Sequence, residues 1–213
     1  MFIVLEGIDG CGKTTQSRRL AGWLRDRVGG ENVVATFEPG DWPGGARMRE
    51  MLLGGDFESP WSEFFIFMAD RCEHVERVVA PALRAGKIVV SDRYNPSTIA
   101  YQIYGNPNLA DGVRRRFAQL PAEIGLPEPD VVVWLDVDLE TAHERLGSRA
   151  KRDSFEARGA DFFRRVRDGY AALSREPGGA RWVAVDASRD EDEVWADVAS
   201  AIEPFVKDRA PCR

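Results

Sequence analysis

The chain has 213 residues, 44% of them hydrophobic and 30% charged, with a formal net charge of −6. That composition suits one α/β domain with ample length for a core, disfavours a general nucleic-acid-binding surface, and leaves room for a local basic pocket. No apolar run approaches the ~20 residues needed to span a membrane. Cys11, Cys72 and Cys212 are scattered without metal-type spacing, which points to a reducing compartment. The N-terminus enters a strand at once, leaving no room for a signal peptide, so a cytoplasmic protein is expected.

Phe2-Ile3-Val4-Leu5-Glu6 reads as a short buried strand, and Gly7-Ile8-Asp9-Gly10-Cys11-Gly12-Lys13-Thr14-Thr15 follows it into a helical pattern beginning at Lys13. This is the phosphate-binding spacing of Gly, four residues, Gly-Lys-Thr in its strand–loop–helix context. Gly7, Gly10 and Gly12 let backbone N–H groups crowd a polyphosphate, and the helix start adds unpaired donors. Lys13 supplies charge to the β- and γ-phosphates, and the Thr14 hydroxyl is placed to ligate Mg²⁺. A nucleoside triphosphate is the implied ligand.

Leu20, Trp23, Leu24 and Val28 fall at helical spacing, and Gly29-Gly30 ends that helix. Val33–Phe37 is a second strand, stopped by Glu38-Pro39-Gly40, and the turn-rich segment 41–45 leads to a short helix through Met48, Met51 and Leu52. Ser59-Pro60 marks a helix start. Phe64, Met68, Cys72, Val75, Val79 and Leu83 then form an apolar stripe, interrupted by Pro81 and closed by Gly86. Ile88–Asp92 is a third strand ending in a carboxylate. Helical stretches around 97–104 and 108–120 flank Gly105-Asn106-Pro107, and Val131–Leu135 is a fourth strand. A helix over 139–147 leads to the basic run Arg149-Ala150-Lys151-Arg152, and Phe162, Val166, Tyr170 and Leu173 resume the helical pattern. Trp182–Asp186 is the last strand, and Pro204 is expected to bend or end the final helix. Strands alternating with helices predict a P-loop NTPase fold: a three-layer α/β/α sandwich whose parallel sheet has about five strands, with ligands beyond their carboxyl ends. The whole chain, 1–213, reads as one domain with a lid at about 148–157.

A phosphate loop serves switches, motors and small-molecule kinases alike. The guanine-selective Asn-Lys-x-Asp element is absent from the sequence. A kinase needs a second phosphate site and a basic lid that excludes water. Asp92-Arg93-Tyr94 offers the first, with Asp92 placed for a Mg²⁺-bound water and Arg93 for a bidentate phosphate contact. The run from Arg149 to Arg152 offers the second.

Together these residues carry a resemblance. The loop, Glu38-Pro39-Gly40, Phe67-Met68-Ala69-Asp70-Arg71, the run from Asp92-Arg93-Tyr94 through Ser97-Thr98 to Ala100-Tyr101-Gln102, Gly125-Leu126-Pro127-Glu128-Pro129-Asp130, the basic lid and Val166-Arg167-x-Gly169-Tyr170 are similar, in order, to thymidylate kinases. The resemblance implies ATP-dependent, Mg²⁺-assisted phosphorylation of dTMP to dTDP by a homodimer, with no nucleic-acid or membrane partner. It implies that Lys13, Arg93, Arg149 and Asp9 act in catalysis. Gly7, Asp9, Gly10, Cys11, Gly12, Lys13, Thr14, Thr15, Arg149 and Arg152 would surround ATP, and Thr14, Asp92 and Asp9 the metal. Glu38, Arg49, Arg93 and Asp9 would serve the acceptor, with Phe67 stacking on thymine and Arg71 bonding a thymine carbonyl. Thr98, with Ser97 or Gln102, would read the base edge, and Tyr101 would close over the sugar. The i, i+4 spacing of Phe67 and Arg71 supports their pairing independently; by composition alone Phe67 reads equally as a core aromatic, and without the resemblance Asp9 reads as a turn former. The lid arginine marks the bacterial-type subgroup, since no variable loop position is basic.

Two positions depart from the pattern: Phe37 stands where the family has arginine before Glu-Pro-Gly, and Ser154 replaces a lid arginine. Arg49 or Arg47 is expected to make up the first loss, and Arg152 the second. The loop after Asp186, around Ser188 and Arg189, is the expected adenine contact. His74 and His143 are too far apart for a metal site, and His74 is expected to pack rather than react. The rival readings are a deoxynucleoside or other nucleoside monophosphate kinase and a non-catalytic nucleotide-binding regulator.

Overall fold

In the central strands nearly every side chain is buried, so apolar residues sit on both faces. The computed structural model describes residues 1–109, 111–147, 158–176 and 178–207. Five parallel strands, β1 (Phe2–Glu6), β2 (Val33–Phe37), β3 (Ile88–Asp92), β4 (Val131–Asp136) and β5 (Arg181–Asp186), lie in the order β2-β3-β1-β4-β5. The register pairs Leu5 with Asp92 and Asp92 with Phe37, which brings three strand ends together at one edge.

Because successive strand residues point to opposite faces, β1 divides its side chains between two cores. Ile3 and Leu5 join Leu20, Leu24, Val198 and Ile202, under helices α1 (Lys13–Val28) and α9 (Glu191–Val206). Phe2 and Val4 pack with Val75, Val79 and Ala82 on the other face. The result is the three-layer α/β/α sandwich expected of a P-loop NTPase. Helices α2 (Gly45–Gly54), α5 (Asn95–Thr98), α6 (Asp111–Glu123), α7 (Leu139–Gly147) and α8 (Ala160–Leu173) complete it, with α5 running on as a π-turn over Ile99–Tyr104. Among the described residues no helix is long and apolar enough to cross a membrane.

Three local expectations need correction. Pro81 does not interrupt its helix: α3 (Pro60–His74) continues through a π-turn at Val75–Val79 into α4 (Ala80–Arg84). Pro81 sits in the first turn of α4, where a missing N–H costs little. Cys72, placed on the apolar stripe, is exposed; the buried positions run Phe64, Met68, Arg71, Val75 and Val79. That run mixes steps of four and three as a helical period requires, and it puts a guanidinium where a thiol was expected. Pro204 does not end α9, which carries on to Val206, with Ile202 and Val206 buried in the core.

Candidate active site

The phosphate loop runs from β1 to the start of α1. Gly7, Gly10 and Gly12 all have positive φ, at 144°, 87° and 90°. A Cβ at Gly10 would lie 2.5 Å from the Ala142 carbonyl oxygen, so only glycine fits there. Lys13 Nζ donates to the carbonyls of Gly7 and Ile8, each at 2.9 Å. Cys11 is buried beneath the loop, with its sulfur 3.5 Å from Lys13 Nζ.

Arg93 follows β3 with φ 76°, the single described non-glycine residue in that region, a conformation costing about 1–2 kcal/mol. Neighbouring groups hold it there. Its N–H donates to Leu5 O at 3.0 Å, and its carbonyl accepts from Ser91 Oγ at 2.7 Å. Glu6, at the end of β1, accepts the N–H groups of Tyr94 and Ser97 at 2.8 and 3.3 Å, and the hydroxyls of Ser97 and Tyr170 at 2.6 and 2.9 Å. Burial pushes the Glu6 carboxyl up, against these hydrogen bonds and the Arg93 charge.

So constrained, the Arg93 guanidinium donates to Gly7 O at 3.3 Å and Ser97 Oγ at 2.9 Å, and pairs with Asp9. Tyr101 Oη donates to Asp9 Oδ2 at 2.8 Å and accepts from the Asp9 N–H at 3.1 Å. Burial opposes ionisation of Asp9, but Arg93, Lys13 and Tyr101 outweigh it and hold the carboxyl below its usual range. Burial, then the Asp9 charge, push the Tyr101 phenol well above its usual value. Desolvation works against the charge on Arg93, yet Asp9 keeps it firmly protonated.

These groups border one cavity of about 550 Å³. Gly10, Gly12, Lys13, Thr14 and Thr15 line it from the loop side, with Asp9 and Arg93 between them and the far wall of Phe67, Arg71, Ser97, Thr98, Tyr101 and Gln102. Phe67 and Arg71, four residues apart on α3, face it together, as their spacing predicts. Gly7 and Cys11 do not line it, and Arg149, Arg152 and Ser154 lie outside the described residues. Arg18 lines the cavity one helical turn beyond Thr14, a placement legible from the i, i+4 spacing though not anticipated.

Beneath the far wall lies a buried polar network that no local sequence pattern signals. Arg71 donates to Glu38 Oε2 at 2.8 Å, Thr98 Oγ1 at 2.9 Å and Tyr94 O at 3.0 Å, so a base carbonyl would share or displace one of these contacts. Glu38 also contacts His74 Nδ1 at 2.8 Å, and His74 Nε2 lies 2.6 Å from Thr36 Oγ1. His74 thus packs as a support for Glu38, in agreement with its expected role. Phe37, 40% exposed, carries the Arg49 guanidinium 5.2 Å above its ring, and Arg49 donates to Pro39 O at 2.8 Å. Arg49 lines the cavity; Arg47 does not. Arg145 holds the expected adenine loop by donating to Ala187 O at 2.7 Å and Arg189 O at 3.1 Å.

Thr14 Oγ1 donates to Asp92 Oδ2 at 2.6 Å, both residues lining the cavity. Two hard oxygens beside a phosphate site suit Mg²⁺, which keeps several waters and needs few protein ligands. Among the described residues no cluster of three or more His, Cys, Asp or Glu side chains forms a metal cage.

Residues 5–198 match the profile of the thymidylate kinase family. The chain belongs to that family. It is 42% identical to the thymidylate kinase of Synechococcus sp. (strain WH7803) over 208 residues, covering 95% of this chain and 94% of the relative. It is 44% identical to that of Leifsonia xyli subsp. xyli (strain CTCB07) over 201 residues, covering 93% and 92%. The crystal structure of thymidylate kinase from Ehrlichia chaffeensis superposes with a TM-score of 0.75 at 31% identity, covering 95% of this chain and 98% of that one. Membership in the thymidylate kinase family makes the protein a phosphotransferase enzyme with nucleotide substrates.

Proposed function

We infer that the protein phosphorylates dTMP to dTDP with ATP as donor, by direct in-line transfer without a covalent enzyme intermediate. The observation that carries the reading is one cavity holding two anion grips, the Lys13 loop and Arg93, which meet at the Gly7 carbonyl.

The triphosphate rests on the loop, exchanging its oxygens for the Gly7 and Ile8 carbonyls now bonded to Lys13. Arg93 holds the acceptor phosphate, for which its pairing with Asp9 keeps it oriented. Phe67 stacks on the base and Tyr101 covers the sugar. Arg49, steadied on Phe37, adds charge at the acceptor side. Thr14 and Asp92 would hold Mg²⁺, which when bound neutralises phosphate charge. The acceptor phosphate is ionised at neutral pH, so no strong base is required. Lys13 and the lid's Arg149, with Arg152 beside it in sequence, stabilise charge that grows on the transferring group. The reading includes one working domain, a homodimer, a cytoplasmic location, and no nucleic-acid or membrane partner.

The test is dTDP formation by the purified chain from ATP and Mg²⁺, with dTMP, dUMP, dCMP, AMP and thymidine as alternative acceptors. Preferred turnover of dTMP is expected. Preference for AMP or thymidine, or no turnover at all, would sink the reading.

A further inference from the structure

A primary amide donates at one end and accepts at the other, so whichever way it is held decides what it can read. Gln102 lines the cavity and is 5% exposed. Its Nε2 donates to Glu63 Oε1 at 3.4 Å. Glu63 is itself only 4% exposed, in the first turn of α3, on the same face as Phe67 and Arg71. An ionised carboxylate can only accept. Arg158 pairs with Glu63, donating to both of its oxygens at 2.9 and 2.6 Å. One Nε2–H of Gln102 is thus directed at Glu63, which sets the orientation of the amide, and among the described residues its Oε1 accepts no hydrogen bond. Beside it, Thr98 Oγ1 accepts from Arg71 at 2.9 Å, which leaves the Thr98 proton to donate into the cavity.

We propose that Glu63 is a specificity-determining residue, acting through Gln102: by holding Nε2 it turns the acceptor end of the amide toward the base. An acceptor beside a hydroxyl donor matches the N3–H and carbonyl edge of a pyrimidine-2,4-dione. It opposes cytosine, which presents an acceptor at N3 and an amino group at C4. A lone pair facing a lone pair is the kind of mismatch that polar sites reject strongly. The inference rests on the acceptor site assigned above, and deepens it by naming what separates thymine from cytosine.

The test compares kcat/KM for dTMP and dCMP in the full chain, in Glu63→Gln and in Arg158→Gln. In Glu63→Gln a neutral amide at 63 can donate to Gln102 Oε1, so Gln102 can turn over. The dTMP/dCMP ratio is expected to fall at least about tenfold, with dCMP turnover rising in absolute terms. Arg158→Gln keeps the carboxylate and should hold the ratio within about threefold. An equal loss on both substrates in Glu63→Gln, or an equal collapse of the ratio in Arg158→Gln, would overturn the proposal. Gln102→Met provides a second reading if Glu63→Gln does not fold. It should lower the ratio about tenfold through dTMP alone, and a retained ratio would overturn the proposal. If the unsubstituted chain turns over dTMP while the variants keep its selectivity, this inference fails alone; without any dTMP turnover the acceptor assignment fails beneath it.

Discussion

Arg93 Nη1 donates to the Gly7 carbonyl oxygen at 3.3 Å, so a cation at the end of β3 touches the first glycine of the phosphate loop. The contact spans 86 residues of sequence, and it brings the Arg93 guanidinium to the same carbonyl that accepts from Lys13 Nζ. Replacing Arg93 by Ala should lower kcat/KM for dTMP by about 10²–10³, the loss of a bidentate charged contact, with ATP affinity changed less than about threefold. Arg93→Gly should be more stable than Arg93→Ala by about 1 kcal/mol, because glycine relieves the positive φ. Equal stability of the two variants in denaturant melts would contradict the strained backbone.

Phe37 and Arg49 form a second pairing at the cavity mouth. Arg49→Ala should raise KM for dTMP about fivefold to fiftyfold, whereas Arg47→Ala, whose side chain lies away from the cavity, should change it less than twofold. Phe37→Ala, by freeing the guanidinium, should raise KM by a smaller factor than Arg49→Ala. Steady-state kinetics on the three variants decide the matter; an Arg47 effect as large as that of Arg49 would reverse the assignment.

The charge states around Asp9 predict a simple pH profile. Asp9 titrates below its usual range, Tyr101 well above its own, and Arg93 stays protonated. None changes charge between about pH 6 and 9, so kcat/KM for dTMP should climb only with the second ionisation of the acceptor phosphate, near about 6, and then stay level. A basic limb beginning below pH 9 would contradict this. For stability the sign follows from the depressed folded pKa: the Asp9 contribution is complete above the ordinary value of 3.8 and disappears as pH falls through the folded value. The stability gap between wild type and Asp9→Asn should therefore narrow below about pH 4 in denaturant titrations.

Gly169 owes its identity to packing. A Cβ there would sit 2.7 Å from Tyr104 Cβ and 2.8 Å from Tyr104 Cγ, where α8 crosses the π-turn that carries Tyr101 and Gln102. Gly169→Ala should cost about 1–3 kcal/mol and lower Tm by several degrees. An unchanged Tm by calorimetry would show that the two helices separate without penalty.

Arg149 belongs to the basic run read from the sequence. Arg149→Ala should reduce kcat by about 10²–10³ while leaving KM for dTMP within about threefold, the pattern of a contact formed mainly in the transition state. A parallel loss of dTMP binding would move Arg149 from the transferring group to the acceptor.

Local pattern carried most of the fold. β1, β2 and β3 match their apolar runs residue for residue, and α1 begins at Lys13 and ends at Val28, beside its glycines. The exceptions are places where tertiary context changes the phase of a helix. The π-turn at Val75–Val79 carries α3 into α4 without a break before Pro81, and packing against the rest of the fold puts Arg71 inward while Cys72 faces solvent.

The site divides along the same line. Lys13, Thr14, Phe67, Arg71 and Arg93 were legible because glycine spacing, an i, i+4 pair and a strand end each declare themselves within a few residues. Glu6 gave one faint sign, a carboxylate closing an apolar strand. That it clamps Ser97 and Tyr170, 91 and 164 residues away, and so holds Arg93 in its strained turn, is decided only when β1, β3 and α8 converge. Glu38 with His74 and Glu63 with Gln102 are likewise partners across 36 and 39 residues. Short-range periodicity determines which face of an element is apolar and where a loop must bend. Which buried carboxylate meets which donor is settled by packing, because distant polar groups enter the interior only in pairs and each pair exists only in the folded chain.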